Sequence, residues 1–317
     1  MNRIIFSLLL FAILFGACQP GQSNEQTENI TFIVASDLGY RGKSEQQAIA
    51  GLMGRFVEEH NVGFMAIAGD PVHDEGVSSI DDEEWKLKIE NVYTAPSLHA
   101  IPWYVVPGNH DYVGSVPAVM AYSNVSERWN APARYFTFTR RIGKSDEHCL
   151  FVFIDTMPLI DEFRDDPTLS DIGQQDIEAQ LRFIESTLLL SDAKWKIVIG
   201  HHPIYAKTTK DLYERADLQE RVGKILESRG ADFYICGHIH SFQHIKPTGS
   251  HVHYIVNSSA SASREVRGND VDGMLFGNPD PGYTLFTVSA NSVKFSFINH
   301  TGETIYEQTV EKPGQGD

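Results

Sequence analysis

Aspartate, asparagine and histidine recur along this chain in short clusters, most of them led by glycine. They are ASDLG around Asp37, AGDPVH with Asp70 and His73, PGNHD with Asn109, His110 and Asp111, IGHH with His201 and His202, and CGHIH with His238 and His240. Carboxylates and imidazoles hold hard and borderline metal ions, and a carboxylate can bridge two of them. Brought to one place, Asp37, Asp70, Asn109, His201, His238 and His240 would form a two-metal centre. Such a pair clamps a phosphate ester while a hydroxide generated on the metals attacks phosphorus in line. Each cluster alone is weak: Gly-Asp is a turn dipeptide, and a histidine three residues later, His73, has many ordinary roles.

What must position these residues is a set of strands. Apolar runs come directly before the clusters: ITFIVA before Asp37, FMAIAG before Asp70, WYVVPG before Asn109, WKIVIG before His201 and DFYICG before His238. SEQQAIAGLMGRFVEEH, DEEWKLKIENVY, QQDIEAQLRFIESTLLL and DLQERVGKILESRG carry helical periodicity between strands. In the last third HVHYIVNS, YTLFTVS, VKFSFIN and TIYEQTV read as β-strands. The pattern is α/β in one domain, with βα units first and antiparallel strands last. In an open α/β sheet the C-terminal strand ends converge on the crevice where ligands bind. The glycines of AGD, PGN, IGH and CGH are expected to let the backbone turn sharply there, and SASREVRGNDVDGMLFGNPDPG to form a loop beside the site.

The 317 residues are 42% hydrophobic and 21% charged, an ordinary globular composition. A formal net charge of -16 opposes binding to nucleic-acid phosphates, so nucleic acid is not an expected partner. The first residues, MNRIIFSLLLFAILFGACQP, place one arginine before a short apolar run and small residues before Cys18. LFGAC resembles a bacterial lipobox, with Phe15 where leucine is usual; an ordinary cleaved signal with an incidental cysteine is the alternative. The expected organisation is a lipoprotein signal peptide over 1–17, a flexible tether over 18–29 from lipidated Cys18, and a catalytic domain over 30–312. Export and membrane anchoring at the bacterial outer membrane or periplasmic face follow, each buried acyl methylene adding about 0.8 kcal/mol. Cys149 and Cys236, each within an apolar run, are expected as buried free thiols.

The ordered series ASDLG, AGDPVH, GNHD, IGHH and GHIH resembles the calcineurin-like metallophosphoesterase superfamily. Within it, IPWYVVPGNHDYVGSVPAVMAYSNVSERWNAPARYFTF is similar to the small, tartrate-resistant type of purple acid phosphatase. The likeness runs from about Ile30 to Val310. It implies two packed mixed β-sheets flanked by helices and two metal ions, Fe, Zn or Mn. By position, Asp37, Asp70 and His240 would hold the first ion and Asp70, Asn109, His201 and His238 the second, with Asp70 bridging. His110 resembles the histidine that contacts the phosphate, and Asp111 either orients that ring or is a solvated loop carboxylate. Where purple acid phosphatases carry a metal-binding tyrosine, in GDxxY, this chain has His73; imidazole there completes the first site and leaves the protein without the purple colour. Lys210 stands where related enzymes often have a histidine that protonates the leaving group. His202 is then the nearer candidate for an acid or substrate contact, or else a ring packed under its loop. The implied activity is an acid-phosphatase-like phosphomonoesterase. The alternatives are a phosphodiesterase or nucleotide pyrophosphatase with the same metals, and a non-catalytic surface metal-binding lipoprotein.

Overall fold

Among the residues described by the computed structural model, 29–40, 44–169 and 171–312, the strands are β1 (Ile30–Ala35), β2 (Val62–Ala68), β3 (Trp103–Val106), β4 (Trp129–Asn130), β5 (Phe136–Arg141), β6 (His148–Phe153), β7 (Trp195–Ile199), β8 (Phe233–Cys236), β9 (Phe242–Ile245), β10 (His253–Val256), β11 (Met274–Asn278), β12 (Gly282–Val288), β13 (Ser292–Asn299) and β14 (Thr304–Glu311). They build two seven-stranded sheets, ordered β14-β13-β12-β1-β2-β3-β4 and β11-β9-β10-β8-β7-β6-β5. In the first, β1 to β4 run parallel and β12 joins β1 antiparallel. In the second, β6, β7, β8 and β10 are parallel, while β5, β9 and β11 pair antiparallel at the flanks. The signal peptide, Cys18 and almost all of the tether expected from the sequence lie outside the described residues.

The apolar runs are continuous because both faces of these strands are covered. Phe32 and Val34 of β1 point between the sheets, whereas Ile33 and Ala35 point outward under the helix Ser44–Glu59. In β8, Phe233 and Ile235 face inward, and Tyr234 and Cys236 face the layer under helix Ile177–Leu190. This period-two alternation makes four layers, helices outside and sheets inside. The layer between the sheets is aromatic: Phe32 stacks on Phe64 and on Phe286, each at 4.9 Å. Cys149 lies in that inner layer and Cys236 in an outer one, both buried and free.

The segment expected as one loop over 261–282 contains β11. The helix expected over DEEWKLKIENVY is shorter, Glu83–Trp85 followed by a wide π-type turn over Lys86–Glu90. The helix expected from Asp217 begins earlier, at Leu212, and also passes through a π-type turn, Gln219–Gly223. No helix among the described residues is long and apolar enough to cross a membrane.

Candidate metal centre

The parallel strands of both sheets end at the same rim, and the side chains just beyond them meet across the seam between the sheets. The backbone N–H of His238, past β8, donates to Asp37 Oδ2, past β1, at 3.0 Å. His201 Nδ1, past β7, lies 2.8 Å from the Ala68 carbonyl at the end of β2. Each sheet therefore supplies one side of the site and anchors the other.

Two sets of donor atoms result. In one, Asp37 Oδ1 is 3.1 Å from His240 Nε2 and 3.2 Å from His73 Nε2. In the other, His201 Nε2 is 3.1 Å from Asp70 Oδ2, 3.1 Å from Asn109 Oδ1 and 3.2 Å from His238 Nδ1. Asp70 groups with Asp37 and His201 on one side and with His73 and His110 on the other, ligand atoms within 4.8 Å of one another. That is the place of a bridging carboxylate. Donor atoms at about 2.1 Å from a common ion, at tetrahedral to octahedral angles, lie about 3.0–3.4 Å apart. The observed separations fit a metal pair held by Asp37, Asp70, His73, Asn109, His201, His238 and His240.

Backbone strain is concentrated on the same residues. Asp37, Asp70, His238 and His240 adopt φ of 53°, 51°, 71° and 58°, the left-handed region that costs an ordinary L-residue energy and persists where surrounding contacts enforce it. At Asp37 the enforcing contacts are visible: the hydroxyls of Ser259 and Ser261 each donate to its carbonyl at 2.8 Å. The glycines work differently from the expectation of a sharp turn at every strand end. Only Gly69, at φ 84°, uses the left-handed conformation. Gly108 gives space: a Cβ there would sit 2.2 Å from Asp70 Oδ1.

Electrostatics hold three of these groups in the forms that bind a metal, the two carboxylates ionised and His238 neutral. Burial pushes the Asp37 carboxyl up, but His240 and His73 outweigh it and hold the group well below the usual carboxylate range. Asp70 is lowered in the same way, mainly by His201. His201 is the exception: burial opposes charge on it, yet the Asp70 carboxylate carries it up to about 9, so an ion taking its lone pair would displace a proton. Burial, with His202 and Lys210 nearby, holds His238 well below the ordinary imidazole range.

The remaining sequence candidates have distinct places. His110 sits beside Asp70: its backbone N–H donates to Asp70 Oδ1 at 2.9 Å, and its Nδ1 is 2.6 Å from the Asp74 carbonyl. Asp111 neither touches that ring nor faces solvent. It is fully buried and accepts the Gly108 N–H at 2.7 Å, because the chain turns into the helix Asn109–Val113 at that point. His202 is packed under its loop, with Nδ1 2.8 Å from Thr156 Oγ1 and its ring 4.3 Å from that of His238. Burial holds it well below its ordinary pKa, which disfavours an acid role. Lys210 reaches the site, Nζ 2.6 Å from His238 Nε2, and burial lowers its pKa.

Ser259, and the contacts of Ser261 and Glu214 with the site, are not expected from the sequence. The serines carry a usable signal, since NSSASAS follows the apolar run of β10 as the ligand clusters follow the other strands. Glu214 carries none, being one charged residue among several on a helix.

A four-layer α/β sandwich with carboxylates, imidazoles and an amide gathered at its parallel strand ends defines a dinuclear metallophosphoesterase. The family model described as calcineurin-like phosphoesterase matches residues 30–242. Purple acid phosphatase 4 of Arabidopsis thaliana is 32% identical over 297 residues, 90% of this chain and 84% of its own length. Tartrate-resistant acid phosphatase type 5 of Homo sapiens is 24% identical over 319 residues, 95% of each chain. The chain belongs to the calcineurin-like phosphoesterase family, in its purple acid phosphatase branch. Its fold is shared with GAP50, the anchor in the inner membrane complex of Plasmodium, at a TM-score of 0.78, 22% identity and 90% coverage of both chains.

Proposed function

We propose that this phosphoesterase is a phosphomonoesterase whose first metal would be held by Asp37, His240 and bridging Asp70, with His73 in place of a phenolate. The observation that carries the reading is the convergence of His73 Nε2 and His240 Nε2 on one oxygen of Asp37, at 3.2 and 3.1 Å. His73 is 2% exposed, its backbone N–H donates to the Gly39 carbonyl at 2.9 Å, and Lys88 Nζ donates to the His73 carbonyl at 3.0 Å, so the backbone that carries the ring is held in place. Neutral imidazole favours divalent Zn, Mn or Fe more than phenolate does. When bound, the pair supplies Lewis acidity toward the phosphoryl oxygens and lowers the pKa of the attacking water. Asp70 aligns the two sites, and Asn109 adds a neutral oxygen that leaves their positive charge undiminished. His110 stands beside Asp70 to meet charge on the transferring phosphoryl group. The names of the relatives, acid phosphatases, support a monoester substrate over a diester.

Release of phosphate outside the cytoplasm, from a protein anchored by lipid on Cys18, completes the reading and is supported by the residues before Asn24 alone. The test is hydrolysis of p-nitrophenyl phosphate by a soluble form spanning Asn24 to Asp317, loaded with Zn, Mn or Fe, against Asp70→Asn. Turnover in the first and its loss in the second is expected. Hydrolysis confined to bis-p-nitrophenyl phosphate would replace the monoester reading with the diesterase one, and a metal-loaded protein inactive on both would leave the non-catalytic reading.

A further inference from the structure

The two ring nitrogens of His238 face different surroundings. Nδ1 belongs to the donor cluster, 3.2 Å from His201 Nε2. Nε2 points away, 3.2 Å from Glu214 Oε2, while Lys210 Nζ lies along the ring edge, 2.6 Å from Nε2 and 3.3 Å from Nδ1. We infer that Glu214 is a positioning residue for the second metal: its carboxylate accepts the Nε2 proton of His238 and so selects the tautomer in which Nδ1 offers a lone pair to the ion. The inference rests on the reading that His238 ligates through Nδ1.

A neutral imidazole carries one proton, so a ring that donates its Nδ1 lone pair must be protonated on Nε2. An N–H cannot accept a hydrogen bond from an ammonium. Of the two groups beside Nε2, only the Glu214 carboxylate is therefore compatible with ligation. Lys210, donating to Nε2, would drive the proton to Nδ1 and block the metal. The two side chains select opposite tautomers, and Glu214 also offers the Lys210 ammonium a counter-charge. His201 differs, because the Ala68 carbonyl beside its Nδ1 sets its tautomer from the backbone. For His238 that task falls to a side chain, and a substitution reaches it. Glu214 is 6% exposed, placed by the early start of the helix Leu212–Leu218. A carboxylate so buried is costly unless it is paired. Partners of this kind, behind a ligating histidine, commonly carry about 10–100-fold in metal affinity.

The experiment compares the wild type with Glu214→Ala, Glu214→Gln and Lys210→Met. Zinc affinity of each site is read by competition with a chelator, and the protonated nitrogen of His238 by long-range 1H–15N NMR on the protein stripped of metal. Expected is an Nε2 proton in the wild type and a second-site affinity about 10–100-fold weaker in Glu214→Ala, with the first site retained. Glu214→Gln, which keeps an acceptor oxygen, should recover most of the loss, and Lys210→Met should bind zinc no more weakly than wild type. Should Glu214→Ala not fold, Glu214→Met fills the volume without an acceptor and takes its place. Unchanged affinity in the alanine or methionine variant, or a wild-type ring protonated on Nδ1, overturns the inference while two-zinc binding by the wild type leaves the metal site standing. A wild type that binds fewer than two zinc ions overturns the metal reading itself.

Discussion

At the residue scale, His73 is a departure from the family pattern that the resemblance implies. Its ring lies 4.4 Å from that of His110 and 5.0 Å from that of His240, so it is embedded among the ligands rather than at their margin. A change to tyrosine there tests ligation directly. Iron-loaded His73→Tyr should gain a visible tyrosinate-to-iron charge-transfer band that the iron-loaded wild type lacks, and a wild type already showing that band would sink the imidazole assignment. His110 differs because it is only half-buried, with its Nδ1 on the Asp74 carbonyl. Removing one pre-positioned donor to a transition-state oxygen typically costs about 100-fold or more in turnover. His110→Ala should therefore lower kcat by about that factor with metal content unchanged, measured by steady-state kinetics and metal analysis on the same samples.

At the element scale, the strands bring the ligands together, and glycines at their ends set how close the loops approach. Gly108→Ala would force Asp70 Oδ1 away from the bridge, since the new Cβ meets it at 2.2 Å. Overpacking of this kind costs about 1–3 kcal/mol. The expected result is a modest fall in Tm and a loss of metal and turnover by more than about 10-fold, because small displacements at a reacting centre are amplified. Gly230→Ala is the control: a Cβ there meets nothing within 4 Å, and only the left-handed backbone, φ 70°, is strained. It should lower Tm and leave metal content and kcat alone. The strands that carry the ligands were legible in the sequence because their two buried faces make unbroken apolar runs. Those left out were short or half-exposed: β4 has two residues, and β5 reads FTFTRR with its polar face toward solvent. The candidate metal ligands stand out because their clusters fall just past apolar runs, whereas the helix start that places Glu214, marked by Asp211 with Glu214 three residues on, lies ahead of the one expected at Asp217. Which nitrogen of His238 faces the cluster has no sequence counterpart at all.

At the scale of the whole molecule, the site is a seam between two sheets, and the same seam holds a second polar network remote from the metals. His244 of β9 contacts His253 of β10, Nε2 to Nδ1 at 2.9 Å, and its Nδ1 lies 2.9 Å from the Tyr306 hydroxyl of β14 in the other sheet. Burial, together with each ring's proximity to positive charge, lowers His244 to about 3 and His253 to about 4 from 6.5. The sign follows from linkage. Above pH 6.5 both rings are neutral in the folded and unfolded chain alike. As pH falls below 6.5 the unfolded chain takes up protons that the folded protein refuses, so stability is lost progressively down to about pH 4 and 3. Asp155 works in the opposite direction. Burial raises it to about 6, so the folded protein gains stability as pH falls from there toward 3.8. A pH profile of the wild type alone mixes the two effects, and His253→Asn separates them, because an amide keeps the hydrogen-bonding capacity of Nδ1 without titrating. Between pH 7 and about pH 4.5 the wild type should lose on the order of 5 °C more in Tm than the variant, followed by calorimetry. Parallel pH profiles would mean that the histidine pair does not limit acid stability. A shallower profile in the variant would make the seam, rather than the catalytic groups, the lower pH boundary for an enzyme whose relatives are acid phosphatases.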